Sequence, residues 1–449
     1  MARDTLVLLL ARIFGLAFAL LTGIIISRSL GPNLRGVYIL VITVNSFMTN
    51  IGNLGWDFST LYQVAKDRYP VRQMNGLAIV AAASLGSIFL LIYALFQLPI
   101  HTYVLRDVDQ AFVFLALALV PASMYWLICN SIMAGLKRFP LVAAFSIGFS
   151  FSELALAFLT LILFQWGIRG LLIGWALEVV VLAAAGLYVI SRQYGITFRF
   201  SRSLLREMPS FGLRGHLGNL AYRIYNRLDV FIVSSFTGAA GVGFYSLAIS
   251  VAEKTAFLPT PLINAAIPRI GSASRSDAAA LTSLIIRHTL FLSIGTGSLL
   301  MLLAPILISV LYGSDFRPSI VPALLLIPGS ILILISLVIS NFFTYQMGKP
   351  ELPTLMAWLT LMVNIPLMFF FTARLGFVGA ALATSLTYLF RFSLALGLFL
   401  AMTKQPWTKV LIISRQDLGM YFTLIKTGPR VLFQKAQEPF LDARIEGQP

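Results

Sequence analysis

The chain has 449 residues, 58% of them hydrophobic and only 11% charged, with a formal net charge of +16. So few charged groups cannot cover a water-soluble globule of this length, so the bilayer is the solvent for most of it. Nucleic acid is excluded as the reason for the positive charge, because Lys and Arg collect in alternate loops, the positive-inside pattern of a polytopic membrane protein.

In chain order, apolar spans of roughly 20 residues bounded by charge or by Pro and Gly number about twelve. The first half gives Leu6 to Ile26, Val37 to Leu54, Leu77 to Gln97, Ala111 to Ala134, Leu141 to Phe164 and Leu171 to Ser191. The second gives Phe211 to Phe236, Val242 to Leu262, Leu281 to Leu311, Ile320 to Gln346, Thr354 to Thr372 and Val378 to Met402. The first span is followed by Arg28, Gly31 and Pro32 without a small-x-small cleavage site, and is read as retained. Basic loops hold Lys66, Arg68, Arg72, Lys137, Arg138, Arg192, Arg199, Arg202, Arg206, Arg269 and Arg275. This asymmetry places both termini in the cytoplasm and the chain, multi-pass, in the inner (plasma) membrane. The expected units are a lobe over 1–191, a linker over 192–209, a second lobe over 210–402 and a tail over 403–449. The linker is either an amphipathic segment on anionic headgroups or a plain solvated connector. Arg28 and Arg35, at the opposite membrane face, are read as headgroup contacts. Cys129 is the single cysteine, which excludes an intrachain disulfide and a cysteine metal cluster.

The chain repeats itself. Ser27 to Tyr38 returns, degenerate but in register, as Ser234 to Tyr245, with Gly31, Gly36 and Tyr38 matching Gly238, Gly243 and Tyr245 at a constant separation of 207 residues. Gly167 and Gly170 are echoed by Gly376 and Gly379. Six spans per half is an even number, so both copies enter the membrane in the same sense, and such repeats mark transporters with a site between related halves.

Charged groups at bilayer depth are costly unless they face a bundle interior or water. The seventh span is the outlier, with Arg214, His216, Asn219, Arg223, Asn226, Arg227 and Asp229. Asn219, Arg223, Asn226 and Arg227 recur at three- and four-residue spacing, along one helix face. That face either lines a cationic cavity holding an anionic headgroup, or pairs internally with Asp229, Glu253, Glu153 or Glu178. Arg12 and Lys254 either line the same cavity or act as interfacial anchors. Glu153 and Glu178 form either a proton relay or structural pairs, and Arg391 and His288 are read as structural.

The run from Ser27 to Tyr38 after a first helix bearing Arg12, and the run from Arg227 to Ala248, resemble the polysaccharide-flippase branch of the multidrug/oligosaccharidyl-lipid/polysaccharide exporter superfamily. Gly31-Pro32, Gly36, Tyr38, Asp229, Gly238, Gly243, Tyr245 and Ala248 carry the likeness. The resemblance implies an all-α polytopic membrane protein whose two six-helix lobes form a V around a central cationic cavity. It also implies alternating access that moves a lipid-linked oligosaccharide, on polyprenyl pyrophosphate, from the cytoplasmic to the outer leaflet for cell-surface polysaccharide biosynthesis. On this view Arg12, Asn219, Arg223, Arg227 and Lys254 bind substrate. Some relatives place a coupling cation in the C-terminal lobe, and Asp229, Glu253, Asn364 and Thr384 stand where such a site, for H+ or Na+, would be. No other cofactor is expected. Membrane lipids, a polysaccharide polymerase and a chain-length factor are the implied partners of a monomeric transporter.

A drug exporter of the same fold ranks second, because organic cations need acidic or aromatic pockets and the central candidates are mainly arginines. Peptidoglycan-precursor flippases, with two further helices, rank third. A membrane glycosyltransferase or polymerase needs an acid/base constellation in an outer loop, and the longest, Pro99 to Gln110, offers only His101, Arg106, Asp107 and Asp109. No Walker A or HExxH sequence occurs. The sequence is therefore read as that of a transporter and not an enzyme.

Overall fold

A computed structural model describes residues 2–415 and 417–419, with side chains from Phe14 onward except at Leu98, Arg214, Gly215, Leu217, Gly218, Asn219 and Asn226. Among these residues there is no strand, and nine helical stretches are long and apolar enough to cross a bilayer. The helices are α1 (Ala2–Gly52), α2 (Trp56–Ala65), α3 (Val71–Tyr103), α4 (Gln110–Ala118), α5 (Val120–Gly135), α6 (Phe139–Ala157) and α7 (Gly167–Tyr194). After them come α8 (Arg202–Ala252), α9 (Pro259–Ser272), α10 (Arg275–Leu307), α11 (Ile320–Asn341), α12 (Glu351–Thr403) and α13 (Trp407–Leu411).

Three of these, α1, α8 and α12, have 51, 51 and 53 residues, about twice a bilayer span. Each is divided by a glycine of positive φ: Gly31 (φ 69°, ψ −180°), Gly238 (φ 67°, ψ −171°) and Gly376 (φ 58°, ψ −142°). The first and second, seventh and eighth, and eleventh and twelfth sequence spans therefore run as single interrupted helices. An L side chain rarely adopts this backbone, and Pro32 after Gly31 has no N–H to continue the ladder. In α8 the arms fold back on each other, since Asp229 and Tyr245, on opposite sides of Gly238, are hydrogen-bonded at 2.9 Å. The end of the molecule that carries Gly31 and Gly238 is here called the turn face, and the opposite end the basic face.

At the turn face α1 and α8 meet without side chains between them. A methyl group on Gly36 would stand 1.7 Å from the Ala239 carbonyl oxygen, and one on Gly243 would stand 2.1 Å from the Pro32 carbonyl oxygen. Under the 207-residue separation these are one contact made twice, as a two-fold axis between the copies requires. The flanking bonds use acceptors related by 207 residues, with their donors one position out of register. Ser234 Oγ donates to the Val104 carbonyl at 2.6 Å, and Arg28 Nε donates to that of Leu311, 207 residues after Val104, at 2.8 Å. Asp107 Oδ2 accepts from the Ala239 N–H at 2.8 Å. Arg35 is buried, and its Nη1 donates to the Gly243 carbonyl (2.5 Å) and to Ser246 Oγ (2.8 Å). Arg28 and Arg35 thus join the halves instead of meeting headgroups, because Arg28 reaches carbonyls at a helix end before Gly313 and Arg35 is buried against the second arm of α8.

The main hydrophobic core is continuous across both halves at the turn face, while a second core, built on α9, α10, α11 and α12, serves the second half alone. Large apolar side chains such as Leu95 and Leu302 are exposed on the outside, as lipid-facing positions are. The connector between halves is shorter than the expected 192–209, since Arg192 still belongs to α7 and Arg202 opens α8. After α12, Ser283 Oγ bonds Gln405 Oε1 at 2.7 Å and Arg287 Nε bonds Asp417 Oδ2 at 2.7 Å, so the start of the tail is clasped to α10. The rest of the expected tail, from residue 420, lies outside the described residues.

Two outcomes follow from this packing. Gly36→Leu forces carbonyl and side chain into the same space and is expected to lower stability by about 2 kcal/mol or more, read as a fall in the thermal midpoint in detergent. Gly295→Ala, at a position with open space, is the control and leaves the midpoint unchanged. For the tail, burial pushes the Asp417 carboxyl up, but the Arg287 bond and the Ser414 donors outweigh it and lower it from 3.8 to about 2. A depressed carboxyl contributes stability above its unfolded value and loses it as pH falls. Hydrogen exchange over residues 407–419 is therefore expected to be several-fold faster in Asp417→Asn than in wild type at pH 7, with the difference vanishing as pH falls from about 4 toward 2.

Candidate functional site

Below the turn-face contact, α1, α8, α11 and α12 enclose a cavity of about 630 Å3. From α8 come Tyr222, Arg223, Tyr225, Arg227 and Asp229 on the first arm, and Ser246, Ile249 and Ser250 on the second. Glu253 follows on the short turn after α8. Across from them stand Ile39 and Asn50 of α1, Ser330 of α11, and Asn364, Thr384 and Tyr388 of α12. The helix spacing explains the division on α8. Tyr222, Tyr225 and Asp229 project toward α12, and Arg223, Arg227 and Val230 lie on the adjoining strip, as offsets of three and four residues require.

Arg223 is engaged. Its Nη2 is 3.0 Å from Asp57 Oδ2, its Nη1 donates to Asn50 Oδ1 at 2.5 Å, and its guanidinium lies 5.7 Å from the Phe58 ring centre. Asp57 is fixed in turn by Asn53 Nδ2 at 2.5 Å. These contacts begin a seam that closes the basic face between α2 and the start of α8. Tyr62 stacks on Phe211 with ring centres 4.5 Å apart, Ser59 Oγ lies 3.2 Å from Met208 Sδ, and a methyl group on Gly55 would stand 2.0 Å from the Gly212 carbonyl oxygen. At the outer edge of the seam Arg68 faces Glu207 at 3.6 Å.

Arg227 differs. It is exposed, lines the cavity, and forms no hydrogen bond or ion pair among the described residues, although Asp229 and Glu253 lie within range of its charge. Asp229 is buried and accepts from its neighbour's N–H at Val230 (2.8 Å) and from the Tyr245 hydroxyl (2.9 Å). Tyr245 also meets Thr384 Oγ1 at 3.0 Å, while Asn364 Nδ2 donates to Thr387 at 3.2 Å and Asn364 Oδ1 is buried without a donor. The tyrosine of the repeated turn thus ties the acid of the first arm to the last helix. Among the described residues no group of three His, Cys, Asp or Glu could hold a transition metal.

Of the residues expected to bind substrate, Arg223 and Arg227 reach the cavity, and Lys254, half-buried on the turn beside Glu253, does not line it. The side chains of Arg12 and Asn219 lie outside the described residues. Asp229, Glu253, Asn364 and Thr384 all reach the cavity wall. The sequence reading missed Asp57 and Asn50 as partners of Arg223, and the tyrosines of the wall. An acid just past the end of the second apolar span was the available signal for Asp57. In the outer loop Asp107 and Asp109 are spent on helix N-termini, at Ala239 and Ala111, and His101 on the Val108 carbonyl.

The family described as Polysaccharide biosynthesis protein matches residues 1–274, the whole first half together with α8 and its turn. The chain belongs to this family. No curated protein matches the sequence. Among solved structures, the lipid II flippase MurJ in an inward closed conformation is similar, with a TM-score of 0.70 at 16% identity, covering 95% of this chain and 93% of that one. An inward-facing multidrug resistance MATE family transporter gives 0.67 at 17% identity over 86% of this chain and 95% of that one. A MOP superfamily transporter from Pyrococcus furiosus gives 0.59 at 15% identity over 90% and 96%. This member of the polysaccharide biosynthesis family therefore has the fold of these MOP-superfamily structures and is a multi-pass membrane protein.

If Arg223 pins the basic face, Asp57→Asn opens it. With Cys129 replaced by Ser and a cysteine placed at Ser250, labelling by a water-soluble maleimide is expected to rise several-fold in Asp57→Asn and no further in Asp57→Asn with Arg223→Gln, since both remove one bond. Unchanged labelling in both would show that the seam holds without the pair.

Proposed function

We propose that the protein flips a lipid-linked oligosaccharide, on polyprenyl pyrophosphate, from the cytoplasmic to the outer leaflet by alternating access for cell-surface polysaccharide synthesis. The observation that carries this reading is Arg227, which lines the cavity without a hydrogen bond or ion pair among the described residues, with Arg223 one turn away. Guanidinium groups grip phosphate oxygens bidentately, and a cavity excluded from bulk water strengthens each bond. The reading takes the glycine-divided helices as pairs of spans, twelve in all, with the basic face and both termini in the cytoplasm of an inner (plasma) membrane.

The steps follow from the pairing. With the basic face open, Arg223 is released from Asp57 and joins Arg227 in holding the pyrophosphate, while the polyprenyl chain stays in lipid. Closure re-forms the α2 and α8 seam, and opening at the turn face requires the carbonyl contacts of Gly36 and Gly243 to part. Asp229, Tyr245, Thr384 and Asn364 are the residues through which a proton or Na+ would drive that exchange, since the cluster joins both arms of α8 to α12. Protonation or cation binding at Asp229 changes the charge against which Arg227 is balanced.

A second reading, export of a small organic cation, draws on Asp229, Glu253 and the cavity tyrosines. Arg227 stands within charge range of both acids, which disfavours a cationic cargo. In proteoliposomes, Arg223→Ala with Arg227→Ala is expected to cut translocation of a polyprenyl-pyrophosphate oligosaccharide at least tenfold, the equivalent of about 1.4 kcal/mol. Wild-type transport by the double variant would remove the cationic-cavity reading, and ethidium efflux by the wild type without saccharide transport would favour the second.

A further inference from the structure

Two acids of the first half take no part in the scheme above. Glu178 lies at mid-length of α7, a 28-residue helix of membrane-crossing length, is 5% exposed, and forms no ion pair among the described residues. Its Oε1 accepts from the Ser152 hydroxyl of α6, and its Oε2 is buried without a donor. Beside Ser152 is Glu153, half-buried and close enough for the two carboxyl charges to interact. Tyr38, buried on the second arm of α1, lies within range of both. Among the described residues these are the titratable groups whose charge reaches Glu178, while α5 brings Cys129 against Gly186, two turns further along α7.

The repeat accounts for the place. Tyr38 is the counterpart of Tyr245 at a separation of 207 residues, and Thr22 is that of Asp229. At the separation of 209 that relates Gly167 to Gly376, Glu178 is the counterpart of Thr387. In the second half Tyr245 ties Asp229 to Thr384, and Thr387 meets Asn364. The first half keeps the tyrosine but exchanges the other two, with the acid on its last helix and a threonine on its first. Thr22 is 2% exposed and its Oγ1 has no partner, so two buried polar atoms of the repeated set, Thr22 Oγ1 and Glu178 Oε2, stand without a hydrogen bond among the described residues.

We propose that Glu178, with Ser152, Glu153 and Tyr38 around it, is a proton-binding site of the first half, separate from the Asp229 cluster and independent of what the cavity carries. An ionised Glu178 leaves a bare carboxylate oxygen in an apolar wall and repels Glu153, whereas one proton on Oε2 removes both costs. A purely structural role needs a cation or a donor for that oxygen, and neither is present among the described residues. The proton is taken from water at Oε2 and returned to water, with no other bond made or broken. The acid is on α7, its hydroxyl donor on α6 and the tyrosine on α1, and these three helices pack on one another. Uptake or loss of the proton therefore changes the charge where they meet, as at Asp229 it does between α8 and α12. The chain thus holds one titratable acid in each half, at places the repeat relates.

The test is an infrared pH titration of the full chain in phosphatidylcholine vesicles, with Asp229→Asn as the parent so that the acid of the second half does not contribute. The parent is expected to show the carbonyl band of a protonated carboxyl, fading reversibly as pH is raised, and Glu178→Gln to lack it. Ser152→Ala is expected to shift the band, because its hydroxyl bonds Glu178 Oε1. Glu153→Gln is expected to lower the titration midpoint by about one pH unit, a tenfold weaker proton affinity, by removing the neighbouring charge. The same band in parent and Glu178→Gln, a band that does not titrate, or one that Ser152→Ala leaves in place overturns the site. If Glu178→Gln fails to fold, the Ser152→Ala shift and the Glu153→Gln midpoint decide. Loss of the band on adding NaCl at constant pH assigns the oxygens to Na+ and also overturns the proposal. None of these readouts depends on the cargo, so the flippase reading stands or falls separately.

Discussion

The structure depends on one contact made twice, the approach of Gly36 to the Ala239 carbonyl and of Gly243 to the Pro32 carbonyl. Backbones come this close only where both helices lack a side chain, and in a bilayer close packing of this kind replaces the hydrophobic drive that joins helices in water. Because the contact joins the two breaks at Gly31 and Gly238, it sets where α1 and α8 meet and where they part. The cavity lies where the first arm of α8 faces α11 and α12, while the same arm stays bonded to the second arm of α1 through Arg223 and Asn50. Arg28 and Asp107 reinforce the meeting point by taking up carbonyls and an N–H group at helix ends, and Arg35 adds bonds to Gly243 and Ser246 within the second arm of α8.

The two faces are closed by different physics. At the turn face the bonds are mostly to backbone, so they depend on helix position and little on side-chain identity. At the basic face they run between side chains, with Arg223 and Asp57 at the inner end and Tyr62 on Phe211 further out. A side-chain seam exchanges partners easily, and a phosphate can compete with Asp57 for the same guanidinium. In the proposed cycle Arg223 serves alternately as part of the wall and as a ligand for the cargo.

Much of this was legible in the sequence. The spacing of Gly31, Gly36 and Tyr38 against Gly238, Gly243 and Tyr245 carried the duplication, and the three- and four-residue recurrence on the seventh span carried the polar strip. Arg227 and Asp229 could be placed at the cavity because helical periodicity is local. What periodicity cannot give is the partner across a helix pair. Asp57 was invisible as the mate of Arg223 because they are far apart in sequence and only the α2 and α8 packing brings them together. Arg35 was misread for the same reason, since a position at the end of a span looks like an interface until the helix packed against it is known.

The doubled contact at the turn face also has a mechanical consequence. An arm of roughly 20 residues from that point to the basic face is about 30 Å long. Pivoting it by about 10° moves its far end by about 5 Å, one helical turn, while atoms near the glycines move by a small fraction of that. The molecule is thus a pair of crossed levers with a shared fulcrum placed far off centre. Wide excursions at the basic end cost little distortion at the pivot, whereas the opposite motion must move the fulcrum itself.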